Sequence, residues 1–514
     1  MSFHTWWEES YAIADVPPSR RRRVDPEQWV QAARDAAAAG GQLLALWATT
    51  DAADSSGVIV RAALLTDLGV LVLELPCVYG SDSYPSLHEV FPCASRMQRA
   101  AFDLVGTRSN DLDHRPWIRH AAWPADSFPL GTGQPLPQSS ALVVDAYEFV
   151  RVEGDGVHEI AVGPVHAGTI EPGHFRFSVV GEKVLRLEER LGYVHKGIER
   201  RFMEFSALEG PRLAARVSGD SAVAFSWAYC QALEALCGCT IPRRAALLRA
   251  LCLEIERIQN HLGDLGALGN DAGFAFGLSQ FSRLKEELLR TVEGVLGQRY
   301  LFDAIVPGGL RVDLSLDGSR ALGDRVARIA VEARHLQGIY DEHPGVRDRF
   351  VGAGHVKPEL ARCLGLTGLA GRASGQGFDA RVDLPSPPYQ ELAPAKIVRS
   401  EGDVAARVAV RFEELYESCR LVQLILERLS RGAHCVEVGT PAAGMLGIGL
   451  IEAWRGPVFV ALEVDPNGMI RRCHPHDPSW QNWPVLEHAI IGNIVPDFPL
   501  INKSFNLSYS GHDL

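Results

Sequence analysis

Four long stretches with helical periodicity constrain this chain more than any other feature. Leucine and isoleucine recur at three- and four-residue spacing from Leu247 to Leu265, which predicts an amphipathic helix of about five turns. Residues 281–296, 320–339 and 404–431 show the same period, with charged residues on the opposite face. Because such faces must pack against one another, the four stretches indicate a helix bundle.

Shorter apolar runs on both sides of these helices predict strands. A helix over 26–38 precedes the first group of strands. The predicted strands cover residues 43–48, 58–65, 70–75, 141–152, 158–162, 175–180, 184–187 and 458–464. The final segment, 496–514, shows little periodicity. The fold class is therefore α+β, with a small α/β unit at the N-terminus and a long-helix bundle with small β-sheets after it.

A polar, proline-rich segment from Trp123 to Pro137 interrupts the pattern. Few contacts are expected to cross such a linker, so it marks a domain boundary. We predict a small N-terminal domain with its linker over 1–137 and a larger domain over 138–514.

Composition excludes several classes of protein. The formal net charge is −12, and the basic run Arg20–Arg23 gives no broad footprint for nucleic acid. No stretch approaches the ~20 apolar residues that span a bilayer, and no signal sequence opens the chain. We therefore expect a cytoplasmic protein that reaches a membrane only through partners. Ten cysteines occur without a C-x-x-C pair, which argues against a zinc ribbon or an iron–sulfur site in this chain.

One loop-rich stretch, from Gly163 to Glu204, is unusually dense in titratable groups. Among its glycines and prolines stand His166, Glu171, His174, His195 and Glu199. Neither a bare turn nor a bare strand needs so many such groups. We expect a polar function at this stretch, while His195 and Glu199 are expected to support the fold.

Several motifs in order carry a resemblance to a known family. They are Gly163-Pro-Val-His, Glu171-Pro-Gly-His-Phe-Arg, Gly192-Tyr-Val-His-Lys-Gly-Ile-Glu199, Glu254-Ile-Glu-Arg-Ile-Gln-Asn-His-Leu262 and Pro307-Gly-Gly-Leu310. Together they resemble the large subunit of membrane-bound, energy-converting [NiFe]-hydrogenases and the related quinone-site subunit of complex I. The motif from Tyr84 to Pro92 resembles the small complex I subunit that is often fused ahead, as in the formate hydrogenlyase large subunit.

The resemblance also shows a departure at the metal site. The four thiolate positions of these hydrogenases correspond here to Ser218, Ser221, Ser508 and Gly511. Because hydroxyl groups are poor substitutes for thiolates and glycine has no side chain, we expect no nickel–iron centre and no other metal. We also expect no counterpart of the tail that hydrogenases remove after metal loading, since three residues follow Gly511 in this sequence.

The resemblance assigns roles to further residues, each with a structural alternative. Glu171 matches the glutamate that passes protons to the metal pair, or it caps a turn. His166 can change its protonation near neutral pH. Arg455 matches an arginine above the metal, or it packs on Trp454. Asp220 places a carboxylate beside the former metal-ligand pocket of Ser218, Ser221 and Ser508, or it caps the next helix.

The resemblance implies a subunit of a membrane-attached, complex I-related oxidoreductase complex on the inner face of the cell membrane. Expected partners are a [4Fe–4S]-bearing small subunit and membrane antiporter-like subunits, with no cofactor bound by this chain itself. The resemblance makes quinone the candidate ligand. It also associates the chain with quinone binding and NAD binding, which are activities of complex I. Two alternatives stay open: a catalytically silent scaffold subunit, and a formate hydrogenlyase-type hydrogenase with a non-standard site.

Overall fold

The structure is a computed structural model of the 514-residue chain. It describes residues 3–52, 57–78, 83–120, 123–124, 126–131, 147–166 and 170–514.

The N-terminal part is a mixed sheet with helices packed on it. Its elements are α1 (Phe3–Glu8), β1 (Tyr11–Asp15), β2 (Pro18–Arg23), α2 (Pro26–Ala38), β3 (Gln42–Thr50), β4 (Gly57–Thr66), β5 (Gly69–Val78) and α3 (Ala94–Val105). The strands are ordered β1-β2-β5-β4-β3, and only the β2–β5 pair is parallel. The helix and the three strands predicted from residues 26 to 75 are present.

Local sequence explains why α2 begins where it does. Asp25 accepts hydrogen bonds from the backbone of Glu27 and Gln28, and Gln28 accepts one from the Asp25 backbone, which makes a reciprocal cap. Pro26 occupies the first turn, where its missing N–H costs nothing.

A second sheet follows and leads into three helices. Its antiparallel strands are β6 (Val157–Val162), β7 (His174–Val180) and β8 (Lys183–Arg190), followed by α4 (Ile198–Phe202), α5 (Gly210–Ala214) and α6 (Ala222–Leu236). The strand predicted over 141–152 is wrong where it can be checked. Residues 147–152 are irregular because they pair with side chains instead of a strand: Val150 N donates to Glu188. Residues 141–146 lie outside the described part.

The predicted bundle is present. Its long helices are α7 (Arg243–Asp271), α8 (Ala275–Leu296), α9 (Leu316–Glu342) and α15 (Val404–Arg428). Helix α7 packs on α8 and α15, and α9 packs on the same two. Between them lie β9 (Ile305–Val306), β10 (Gly309–Leu310), α10 (Pro344–Phe350), α11 (Pro358–Leu364), α12 (Gly368–Arg372), α13 (Ala380–Asp383) and α14 (Tyr389–Leu392).

Buried ion pairs tie the bundle to its neighbours. Glu414 on α15 lies 2.8 Å from Arg372 and 3.0 Å from His261 on α7, and all three side chains are almost fully buried. Removing one member of such a set leaves an uncompensated buried charge, which costs about 3–5 kcal/mol. His261 therefore joins α7 to α15 through Glu414.

The C-terminal part supplies a third antiparallel sheet and the last helices. They are β11 (Leu446–Glu452), β12 (Pro457–Val464), β13 (Ile470–His476), α16 (Ser479–Ala489), α17 (Phe498–Phe505) and α18 (Tyr509–Asp513). Helix α6 lies directly on β11, where a Cβ on Gly449 would stand only 1.8 Å from Ala228 O. The segment after residue 496 lacks periodicity in sequence, but in the structure it forms the two helices α17 and α18, which are mostly buried.

The two predicted domains contact each other extensively. Arg61 of β4 pairs with Glu463 of β12, and Arg96 of α3 pairs with Glu189 and Glu487. Hydrophobic residues of both parts belong to one continuous core. The division at 137/138 stays a prediction, because residues 132–146 at that boundary lie outside the described part.

Among the described residues, no helix is long and apolar enough to cross a membrane.

Candidate functional site

Two segments far apart in sequence meet at the predicted metal-ligand pocket. The loop before α6 carries Ser218 and Ser221, and the loop between α17 and α18 carries Ser508. The hydroxyls of Ser218 and Ser508 are 2.8 Å apart and share a hydrogen bond. Ser508 Oγ also accepts from Gly511 N at 2.8 Å, which caps α18. The structure therefore brings the four positions together as the sequence predicts.

An ion pair occupies the middle of this pocket. Arg455 Nη2 donates to Asp220 Oδ2 at 2.7 Å, and Ser218 donates to Asp220 Oδ1 at 2.7 Å. Burial alone would raise the pKa of Asp220, but the charge and hydrogen bonds of Arg455 hold it below its usual range. The guanidinium also lies 4.2 Å from the Trp454 ring centre, so Arg455 both packs on Trp454 and reaches the pocket.

The backbone of Asp220 is fixed from two sides. Trp454 Nε1 and Asn260 Nδ2 each donate to its carbonyl oxygen at 2.8 Å. Asp220 does not cap α6: the cap residue is Ser221, and no side chain accepts there. The capping alternative is wrong because the carboxylate is drawn toward Arg455 instead.

The residues at this pocket do not fit a nickel–iron pair. No thiolate is present at the four positions, and the serine hydroxyls are engaged with one another and with Asp220. A Cβ at Gly511 would stand 2.6 Å from Asp477 Oδ2 and 2.9 Å from Ser508 Oγ, so even one added carbon has no room. Within the ranges the structure describes, no group of three His, Cys, Asp or Glu side chains is placed to hold a metal ion.

Asp477 is a buried acid that the sequence did not single out. Its Oδ1 accepts from Ser479 N at 2.8 Å, while its Oδ2 is buried and has no hydrogen-bond partner in the part of the chain that the structure describes. Burial raises the pKa of Asp477, although the charge of Arg455 opposes the shift. The absent side chain of Gly511 is what leaves room for this carboxylate.

A cavity of about 450 Å³ lies beside the pocket. Helix α17 and the loop to Ser508 form one wall, with Phe498, Lys503, Asn506 and Leu507. The end of α7 and the loop after β6 supply the others. The volume lies within the ordinary range for small-molecule sites, which are mainly apolar with a few polar groups.

A histidine and an aspartate from two different segments line this cavity. His166 lies on the loop after β6, and Asp271 ends α7. Burial lowers the pKa of His166, so its imidazole is neutral at pH 7, and burial raises the pKa of Asp271. Nε2 of His166 is buried and has no hydrogen-bond partner among the described residues. Residues 167–169 of this loop lie outside the described part.

Glu171 lies on the loop that carries His166, but it is not among the residues that line the cavity. Its Oε2 accepts from Ser510 N at 3.0 Å, at the start of α18, and the side chain is otherwise exposed. The structure thus places Glu171 and His166 on one loop, and it places Arg455 in contact with Asp220 and Ser221 in the pocket. It leaves their chemical roles as predictions.

Sequence patterns did not predict the charged cluster on the cavity wall. Lys503 and Asn506 line the cavity, and both contact the buried Asp264 of α7. Asn506 O also accepts from Arg455 Nε at 2.6 Å, which links the cavity to the pocket. The signal available was position: Asn506 stands two residues before Ser508, where the hydrogenase motif has Asp-Pro-Cys.

Comparisons with known proteins agree with this architecture. The sequence profile of the respiratory-chain NADH dehydrogenase 49 Kd subunit matches residues 271–443. Formate hydrogenlyase subunit 5 of Escherichia coli (strain K12) is 32% identical over 443 residues, covering 84% of this chain and 77% of that protein.

Two further matches extend the comparison. NADH-quinone oxidoreductase subunit 4 of Thermus thermophilus is 28% identical over 378 residues, covering 68% of this chain and 92% of that protein. One chain of the membrane-bound sulfane sulfur reductase (MBS), an archaeal respiratory membrane complex, has the same fold, with a TM-score of 0.66 at 24% identity. That match covers 70% of this chain and 99% of the other.

Proposed function

We propose that this chain, which belongs to the family of hydrogenase large subunits that includes formate hydrogenlyase subunit 5, serves a membrane-attached oxidoreductase complex as a nickel-free large subunit. The family is related to the 49-kDa subunit of respiratory NADH dehydrogenase. The observation that carries the proposal is the replacement of the metal-ligand set by the Ser218–Asp220–Arg455 network beside an intact cavity.

The ligand of the cavity is a two-electron, proton-coupled acceptor of the quinone class. A ring fits against Phe498, Leu507 and Tyr509, and polar groups stand at the edges. One relative at 28% identity is named an NADH-quinone oxidoreductase subunit, which supports this ligand class. No metal takes part in this proposal.

Protons for such an acceptor come from the chain's own side chains. His166 and Asp271 face the cavity, and burial shifts the pKa of each toward its neutral form. Asp271 and His166 are the two groups that we assign to pass protons to the acceptor. Glu171, exposed on the same loop, returns protons from solvent. Arg455 positions Asp220 and Asn506 instead of touching the ligand.

Electrons and attachment come from partners. An iron–sulfur small subunit delivers the electrons, and antiporter-like membrane subunits anchor the assembly on the cytoplasmic side of the cell membrane. The related chain of the archaeal respiratory membrane complex supports such an assembly by its fold.

A silent scaffold is the second candidate. The pocket's polar groups satisfy one another, and a network of this kind can hold a fold without turning anything over. A scaffold predicts the same partners and no response to quinone.

The test is quinone-dependent turnover by the complex purified from its native host. We compare wild type with His166→Gln and with the matched control His158→Gln, whose histidine is exposed on β6. We expect co-purification of an iron–sulfur protein, a fall of about 10²-fold for His166→Gln, and less than twofold for the control. A complex that neither binds nor reduces quinone analogues would leave the scaffold as the function.

A further inference from the structure

The cavity wall carries a lysine that is held in place without being neutralised. Lys503 Nζ donates to Asn506 Oδ1 at 3.2 Å and lies 3.3 Å from Asp264 Oδ1. An ammonium group has three donors, so one remains for the cavity that Lys503 lines. Its side chain keeps 29% of its exposure, while Asp264 behind it keeps 4%.

Asp264 cannot cancel the charge of Lys503, because it is shared. Arg411 Nε donates to Asp264 Oδ2 at 3.0 Å, so one carboxylate serves two cations. The charges of Lys503 and Arg411 outweigh burial and hold the pKa of Asp264 below its usual range. A second lysine, Lys285 of α8, lies across Gly263 close to the same carboxylate. The cations Lys503, Arg411 and Lys285 therefore outnumber Asp264 and Asp271, the other acid that Lys503 faces across the cavity.

Asn506 fixes the geometry of the lysine. Its backbone is in the left-handed region, with φ of 48°, which asparagine adopts more readily than most other residues. Its amide donates to Asp264 Oδ1 at 2.7 Å while its Oδ1 accepts from Lys503. These contacts, with the bond from Arg455 to its carbonyl, hold the ammonium at one place on the wall.

We propose that Lys503 is the specificity-determining group of the cavity and that it selects ring acceptors carrying an ionised oxygen, such as hydroxylated quinones, over neutral rings. The inference rests on the proposed function and narrows its substrate class. A charge-assisted hydrogen bond from a half-buried ammonium is stronger than one to a neutral carbonyl. The apolar faces of Phe498 and Leu507 bind either ring equally, so the charge on the ring oxygen determines the difference in affinity.

The test compares two rings of nearly equal size on the full-length chain. The probes are 2-hydroxy-1,4-naphthoquinone, which is ionised at pH 7, and neutral 2-methyl-1,4-naphthoquinone, with dissociation constants from calorimetry. We expect wild type to bind the hydroxylated ring about tenfold more tightly. Lys503→Met abolishes this preference and still binds the methylated ring, and Lys503→Arg keeps most of it. The exposed Lys357 provides the control Lys357→Met, which retains the full preference.

The outcomes separate the two proposals. If neither ring binds wild type, the proposed function fails and this inference fails with it. If both rings bind equally, or if Lys503→Met keeps the preference, the inference fails while the proposed function stands. Loss of both rings in Lys503→Met means that the lysine is structural and also overturns the inference.

Discussion

Truncating Asp220 tests whether the ion pair with Arg455 maintains the former metal pocket. Asp220→Ala removes the partner of a guanidinium whose side chain is only 3% exposed, together with the acceptor of Ser218. Breaking a buried pair costs about 3–5 kcal/mol, and solvent screening reduces this because Asp220 keeps 38% of its side-chain exposure. We expect a loss of about 2–3 kcal/mol in the free energy of unfolding.

Urea denaturation followed by tryptophan fluorescence measures this loss. Asp220→Asn keeps an acceptor for both donors and should lose about 1–2 kcal/mol. The double variant Asp220→Ala with Arg455→Met should lose less than the sum of the single variants, since no unpaired charge remains. As a control, Glu159→Ala breaks the exposed pair with Arg176 and should cost at most about 1 kcal/mol.

The result that refutes this reasoning is an Asp220→Ala variant within about 0.5 kcal/mol of wild type. The pH dependence gives a second check. Because the folded state lowers the pKa of Asp220, its contribution is present above the unfolded pKa near 4 and is lost as the pH falls further. Asp220→Asn should flatten the stability curve below about pH 4.

Three other predictions follow from the same structure. Gly511→Ala places a carbon 2.6 Å from Asp477 Oδ2 and should cost about 1–3 kcal/mol in urea denaturation, whereas Gly439→Ala, with nothing within 4 Å, should not; equal effects would contradict the packing. Burial, with neighbouring histidines, lowers the pKa of His476 to about 3, so stability should fall as the pH drops below about 6.5. His476→Gln should make that slope shallower by up to about 1.4 kcal/mol per pH unit, and an unchanged slope would show that another group causes it. Limited proteolysis should cut first between residues 123 and 137, and initial cleavage confined to the helices after residue 240 would refute the boundary.

Local sequence patterns predicted correctly those helices whose bounds depend on neighbouring residues. The helix at Pro26–Ala38 follows from its cap and its proline, and the long helices follow from their one-sided apolar period. The segment after residue 496 shows no such period because α17 and α18 are only eight and five residues long, too short for a repeating apolar pattern to appear.

The candidate site was predictable only in part. Motif order placed the serines and Gly511 together, and the structure agrees. The pairing of Asp220 with Arg455 joins residues 235 positions apart in sequence. The contacts of Asp264 with Lys503 and Asn506 join residues separated by a similar length of chain. Such pairs depend on how α6, α7 and α17 pack, and a single sequence carries no local pattern for that.

Elemental analysis tests the central claim most directly. The protein is produced in a host that assembles ordinary nickel–iron hydrogenases, and nickel is measured per chain in the purified complex beside such a hydrogenase. The Ser218–Asp220–Arg455 network and the crowded Gly511 position predict no stoichiometric nickel and no hydrogen uptake or evolution. Nickel near one per chain, with hydrogen turnover, would contradict the account of this pocket.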